Sequence, residues 1–377
     1  MKKHTLLTLI AVLLVTVLVF AGCVSEEVPP TNPTTEPTTE VTTEPPTTEP
    51  PTTEPPTEPP TEPPTEPPIT NPLTGEVIEA PLENRIVAVT INNVTPALPH
   101  VGVNEADLFF EMFVNDYCTR GLALYTNIDE VPAIGSVRST RYNFTDIAVG
   151  YDAIICHAGG SSSVLSDAKS SGAAHFNVDT SSRTSFSFRD SGRRSSGYSW
   201  EHCLFVDGTG VYAKAGSLGF RTSMDQEKDY GLHFSEETST VSGEDAGTVS
   251  IIFNHKGRTK DSSFTYDAES GKYLFSQYGR KMTDGATGKR EAFKNVIVIV
   301  TTVTNKTGSG NTYHVAELEG SGSGYFACDG KIVPIKWSRS GPYATFSFTL
   351  ADGTPLELGV GNSYVGICPT ASTISWE

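Results

Sequence analysis

The sequence predicts an α+β fold, in which an N-terminal α/β domain with a mixed sheet precedes a mostly β C-terminal domain of sandwich or small-barrel type. Three observations predict it. Between residues 71 and 235, strand-like alternation is broken by stretches of helical period, of which 144–151 is the clearest. From 247 to 377, nine short apolar or alternating runs follow one another with turn signals between them and no convincing helix. Ahead of both lies a proline-, threonine- and glutamate-rich tract that cannot form a core. What remains, about 300 residues, is one large or two ordinary domains.

In chain order, Lys2 and Lys3 open a positive segment, and residues 6–20 are apolar but short for a bilayer span. Phe20-Ala21-Gly22-Cys23 follows and resembles a bacterial lipobox. That resemblance implies a signal peptide over 1–22, cleavage before Cys23, lipidation of its thiol, and an anchor on the outer face of the cytoplasmic membrane. Residues 23–70 read as a tether. Their T-T-E-P-P and T-E-P-P repeats favour extended polyproline II, and the spaced glutamates repel one another. Such a tether would carry a domain from the membrane into the cell wall.

The formal net charge is −17, and the first 68 residues hold ten glutamates against two lysines. The remainder, with 25 basic and 34 acidic residues, is still acidic, which argues against nucleic acid as a partner. With Cys23 assigned to lipid, five cysteines remain (Cys118, Cys156, Cys203, Cys328 and Cys368), so at least one is unpaired and no disulfide framework is implied.

Folding is expected to start near residue 71. Residues 86–91 alternate on two apolar faces and read as a strand covered on both sides. In the next strand, 108–114, Leu108, Phe110, Met112 and Val114 share one face, and Glu111 lies between Phe109 and Phe113 on the other. A carboxylate so placed is desolvated and needs a raised pKa or a cation, and Arg120 is the nearest candidate in sequence. Phe144, Ile147, Ala148 and Tyr151 form one helical stripe. Before it stand Arg138, Ser139 and Arg141; after it come an apolar strand over 153–156 and the turn His157-Ala-Gly-Gly160-Ser161, which opens a second helix ending at Gly172. Free N–H groups at a helix start and arginine forks both suit an anion. Residues 181–198, with four arginines among serines, read as a long loop, and 211–216 as a short helix. The β-rich part follows, with Asp329-Gly330 and Asp352-Gly353 as turns.

Several chemistries have no support. The eight histidines are scattered without H-E-x-x-H or H-x-x-x-H spacing, and no acidic calcium loop, P-loop, dinucleotide fingerprint or G-x-S-x-G elbow occurs, so no metal or cofactor is expected. The candidate residues are therefore Glu111 as a catalytic carboxylate and Arg120, Arg138, Ser139, Arg141, His157, Gly160 and Ser161 as ligand-binding groups, with Cys23 lipidated.

A longer pattern runs through the chain. Asn71-Pro-Leu-Thr-Gly, Val87-Ala-Val-Thr-Ile-Asn-Asn, Ala106-Asp-Leu-Phe-Phe-Glu111, Thr119-Arg-Gly-Leu-Ala-Leu, Ile134-Gly-Ser-Val-Arg-Ser-Thr-Arg141 and His157-Ala-Gly-Gly-Ser occur in order, followed by Asn295-Val-Ile-Val, Lys336-Trp-Ser-Arg339 and Gly361-Asn-Ser-Tyr-Val. Over 71–369 the chain resembles the YerB-like lipoproteins, the DUF3048 family. The resemblance implies an N-terminal α/β domain (71–235), a separate C-terminal β-rich domain (247–377) and an extracytoplasmic lipoprotein, with no settled activity. The chain departs from the family pattern at Ser136, where a proline is usual, and at Glu201-His202-Cys203, where Pro-His-Asn is usual; if that asparagine binds ligand, Cys203 leaves the site incomplete.

Three functions fit these readings. The first is binding of an anionic envelope ligand, either a wall polymer or a peptide carboxylate, through the arginines. The second is a wall glycan hydrolase with Glu111 as general acid or base, although no second carboxylate can be placed. The third is a structural module of an envelope complex.

Overall fold

The computed structural model describes residues 67–115, 118–308 and 310–377. Cys23, the leader and most of the tether lie outside the described residues. Alternation of apolar side chains builds the central strands. β1 (Val87–Asn92), β2 (Leu108–Asn115) and β3 (Cys118–Tyr125) are almost wholly buried and pair antiparallel in the order β2-β3-β1. Strands Ile154–His157 and His175–Asn177 add in parallel beyond β1. The sheet does not end at β2. Ser363–Pro369 pairs with it in parallel, Leu108 opposite Ser363 through Met112 opposite Ile367, and Asn295–Thr301, Gly320–Cys328 and Lys331–Arg339 follow. The two lengths of chain read as separate domains thus share one eleven-stranded sheet.

A second, six-stranded sheet is built around Thr248–His255, Arg258–Asp267 and Lys272–Gln277 and packs on one face of the first. Its Phe264 ring lies 4.6 Å from Tyr364 and 5.1 Å from Phe275. On the opposite face, α1 (Tyr142–Gly150) buries Phe144, Ile147 and Ala148, with Tyr151 just beyond it, against Phe110, Met112 and Leu122, as the helical stripe predicts. Phe144 and Ile147 each contribute about 1.5–3 kcal/mol on full burial. All nine β-type runs lie in or overlap strands. Asp329 and Gly330, both at positive φ, form the tight turn between two of them. The strands of the C-terminal half divide between the shared sheet and the six-stranded one. Residues 181–198, read as loop, contain a short strand (Ser187–Arg189) and a short helix (Ser191–Ser195).

Two glycines shape the centre. Glu111 stands opposite Gly121 on β3 and Gly366 on the other neighbouring strand. A Cβ on Gly121 would lie 2.4 Å from the Phe109 ring. We therefore expect Gly121→Ala to cost about 1–3 kcal/mol by overpacking. Denaturant unfolding checks this against Gly341→Ala, where a Cβ meets nothing within 4 Å and the change should stay within roughly 0.5 kcal/mol.

Candidate functional site

The two faces of the central sheet separate residues that proximity in sequence suggested would meet. Residues opposite one another in an antiparallel pair share a face, and successive residues alternate. Arg120, opposite Met112, points to the α1 face, whereas Glu111 points with Phe109 and Phe113 to the six-stranded sheet. Arg120 is therefore not the partner of Glu111. That partner is Lys260, whose Nζ lies 2.6 Å from Oε1. Thr119 (2.6 Å) and Asn93 (2.8 Å) also donate to Oε1, and Tyr364 (2.7 Å) and Ser262 (3.1 Å) to Oε2. Burial raises the pKa of Glu111, but Lys260 and these donors outweigh it and hold the carboxyl below its usual range. With no exposed surface and five side-chain partners, this carboxylate is closed off from a wall glycan, unlike the site carboxylate expected from sequence.

The arginines lie on the other face. Residues 136–141 run extended past the carboxyl ends of β1 and Ile154–His157. Asn92 N–H bonds to Ser136 C=O, Arg138 N–H to Thr90 C=O, Ala158 N–H to Arg138 C=O and Thr140 N–H to Gly159 C=O. This lacing turns the carbonyl of Ser139 towards β3, where Arg120 Nη1 donates to it at 2.7 Å. Arg141 Nη1 donates to the same oxygen at 3.4 Å and to Thr140 C=O at 2.7 Å. Two guanidinium groups thus share one acceptor. Among the described residues neither contacts a carboxylate, and the Nε of each is buried without a hydrogen-bond partner. The hydroxyls of Ser136 and Thr140, in the same segment, are also buried and unpartnered. Burial first, and then the neighbouring Arg141, pull the Arg120 guanidinium down to about 9. Burial lowers Arg141 as well, and its guanidinium lies 5.2 Å from the Tyr313 ring. Arg138, half-exposed, is bound to Glu201 at 3.1 Å.

The remaining expected groups divide. Ser139 Oγ donates to Ala158 C=O, and Gly160 packs close to Thr140 and Leu165, so the turn is held against the arginine segment. Ser161 caps α2 (Ser162–Ser170), accepting from Val164 N–H at 3.4 Å. His157, by contrast, turns to His175, with 2.9 Å between ring nitrogens. Burial and that neighbour bring its pKa to about 4, leaving it neutral and outside the arginine group. The structure also adds a group the candidate set lacked. His202 is buried beside Glu201, and its Nδ1 lies 3.0 Å from Asn92 Nδ2. Asn92 stands opposite Arg120 on the neighbouring strand. The five cysteines among the described residues are free and buried.

This combination, a sheet shared between two lengths of chain with Arg120 and Arg141 meeting at one carbonyl, defines a sheet-rich protein. Comparison with known proteins places it further. Residues 73–221 match the N-terminal domain, and 249–365 the C-terminal domain, of the protein family of unknown function DUF3048. The chain belongs to that family. It is 24% identical over 296 residues to the Bacillus subtilis (strain 168) protein named "Putative lipoprotein YerB", covering 78% of this chain and 84% of that one. The crystal structure of B. subtilis YerB has the same fold, with a TM-score of 0.69 at 24% identity over 81% of this chain and 99% of that one. The two family domains meet within the shared sheet, since β2 belongs to the first and its parallel neighbour begins in the second.

Proposed function

We propose that this chain is a membrane-anchored lipoprotein, facing outward, that binds an anionic ligand of the cell envelope through Arg120, Arg138 and Arg141. The ligand class is a wall polymer bearing phosphate or carboxylate, or a peptide carboxylate. One observation carries the reading: Arg120 and Arg141 share a single carbonyl, contact no carboxylate among the described residues, and each keep a buried Nε without an acceptor. Guanidinium groups removed from water and left without a counter-charge are costly, and an anion arriving between them restores what burial took. The Ser139 and Ser161 hydroxyls and the Gly160 turn border the same segment and supply neutral contacts. The lipobox-like leader and the acidic tether accord with a site held away from the membrane, and the YerB relative is itself named as a lipoprotein.

Co-sedimentation of the chain with purified sacculi that retain their anionic polymers tests this reading. The wild type should pellet, and Arg141→Ala should weaken retention about tenfold or more, the value of one or two charge-assisted bonds. Retention should fall in parallel when the anionic polymers are stripped. Equal retention of wild type and variant contradicts the reading. Soluble muropeptides released by the wild type but not by Glu111→Gln would favour wall cleavage instead.

A further inference from the structure

Between the two sheets, on the face away from the arginines, an amine, a carboxylate and a carboxamide meet within an apolar wall. Lys260 Nζ and Asn93 Nδ2 both contact one oxygen, Oε1 of Glu111, at 2.6 and 2.8 Å. Asn93 and Glu111 have no exposed surface, and Lys260 is 4% exposed. The rings of Phe253, Phe275 and Tyr278 stand 5.4–5.6 Å from Nζ. The other end of the carboxamide is also fixed. Asn93 Oδ1 accepts from Gln277 Nε2 at 2.8 Å and meets His100 Nε2 at 3.0 Å; since this oxygen can only accept, that nitrogen carries the hydrogen. His100 is in turn held by Glu291, 3.2 Å from its Nδ1.

These are the parts of an acyl transfer that needs no outside reagent. The amine is the nucleophile, the amide carbon is the electrophile, a carboxylate touches both nitrogens, and two N–H groups are aimed at the oxygen on which charge would gather. We propose that Lys260 and Asn93 form an intramolecular isopeptide bond that joins the central sheet to the six-stranded one, with Glu111 carrying the protons. The Lys260 ammonium gives a proton to Glu111, and the free amine adds to Asn93 Cγ. The negative charge on Oδ1 is met by Gln277 and His100. Glu111 returns its proton to Nδ2 as the Cγ–Nδ2 bond breaks, then takes up the second proton shed by Nζ, and the departing ammonia removes it as ammonium. One C–N bond replaces another and nothing is oxidised or reduced. Burial works in the direction of the first step on both groups, lowering the Lys260 ammonium and raising the Glu111 carboxyl, against the ion pair and hydrogen bonds that hold Glu111 ionised. Both nitrogens already share one oxygen, and the near-attack separation of about 3–3.5 Å is to be reached by side-chain adjustment inside that hydrogen-bonded cluster.

Tryptic digestion of the full chain followed by mass spectrometry decides the matter. Cleavage at the flanking sites gives a peptide spanning residues 86–120, which contains Asn93, and one spanning 259–272, in which a linked Lys260 resists trypsin. The expected product is a branched species containing both peptides, about 17 Da lighter than their sum because ammonia has left. Free 86–120 should be absent or minor. The branched species should disappear in Lys260→Met and in Asn93→Ala. Finding free 86–120 with an intact asparagine, together with cleavage after Lys260, overturns the proposal. The wild-type digest gives this answer without requiring any variant to fold, and its outcome is independent of ligand binding at the arginines.

Discussion

Replacing Lys260 with methionine should destabilise the chain by about 3–5 kcal/mol at pH 8, the loss expected when one partner of a buried charge pair is removed. The cation sits 2.6 Å from Glu111, which has no exposed surface and cannot recover water as a partner. Thr119, Asn93, Ser262 and Tyr364 still donate to the carboxylate in the variant, but they carry no compensating charge. The carboxyl then titrates in the opposite sense. In the variant, burial raises its folded pKa above the unfolded value, so its contribution to stability is full below the unfolded pKa and is lost as pH rises through the folded one. Guanidinium unfolding at pH 5 and pH 8 should therefore show a smaller defect at pH 5. A defect below roughly 1 kcal/mol at both pH values would mean that the pair contributes little. A large loss is expected whether Lys260 is held by an ion pair or by an amide, and the peptide masses separate those two states.

Replacing Arg120 with methionine should have the opposite effect. This guanidinium is 6% exposed, makes one hydrogen bond to Ser139 C=O, and has burial and Arg141 working against its charge. Its folded pKa lies below the unfolded value, so the penalty is present throughout the neutral range and fades only as pH rises above about 9. Methionine fills similar space without charge. The variant should gain about 1–3 kcal/mol in anion-free buffer, the relief of desolvation less about 1 kcal/mol for the lost hydrogen bond. It should also lose anion binding.

Local pattern made much of this molecule legible. Residues 86–91 and 108–114 announced buried strands because their alternation needs no partner to be visible, and Phe144, Ile147, Ala148 and Tyr151 announced α1 by their spacing. The arginine segment stands out in the sequence; in the structure Arg120 and Arg141 meet at the Ser139 carbonyl and Arg138 bonds to Glu201. What could not be read was pairing over long separations. Tyr364 reaches Glu111 across 253 residues, and no periodicity says that β2 will pair with a strand so far downstream. The strand bearing Lys260 is mostly polar, so Lys260, Ser262 and Phe264 do not stand out as one face until the second sheet packs down. Nearness in sequence misled at Arg120, where β2 and β3 present Glu111 and the arginine to opposite faces. At His157, the parallel strand His175–Asn177 offered a partner that the turn itself does not reveal.

The claim that the arginine cluster is an anion site is tested most directly by thermal unfolding of the full chain against increasing citrate at fixed ionic strength. Citrate excluded from protein surfaces raises the Tm of any protein at high concentration, so the comparison is between wild type and Arg120→Met at millimolar levels. Specific binding predicts a wild-type Tm that climbs with the logarithm of citrate concentration, as mass action on the folded state requires. The variant should start higher and stay flat. Parallel curves for the two proteins would contradict the account.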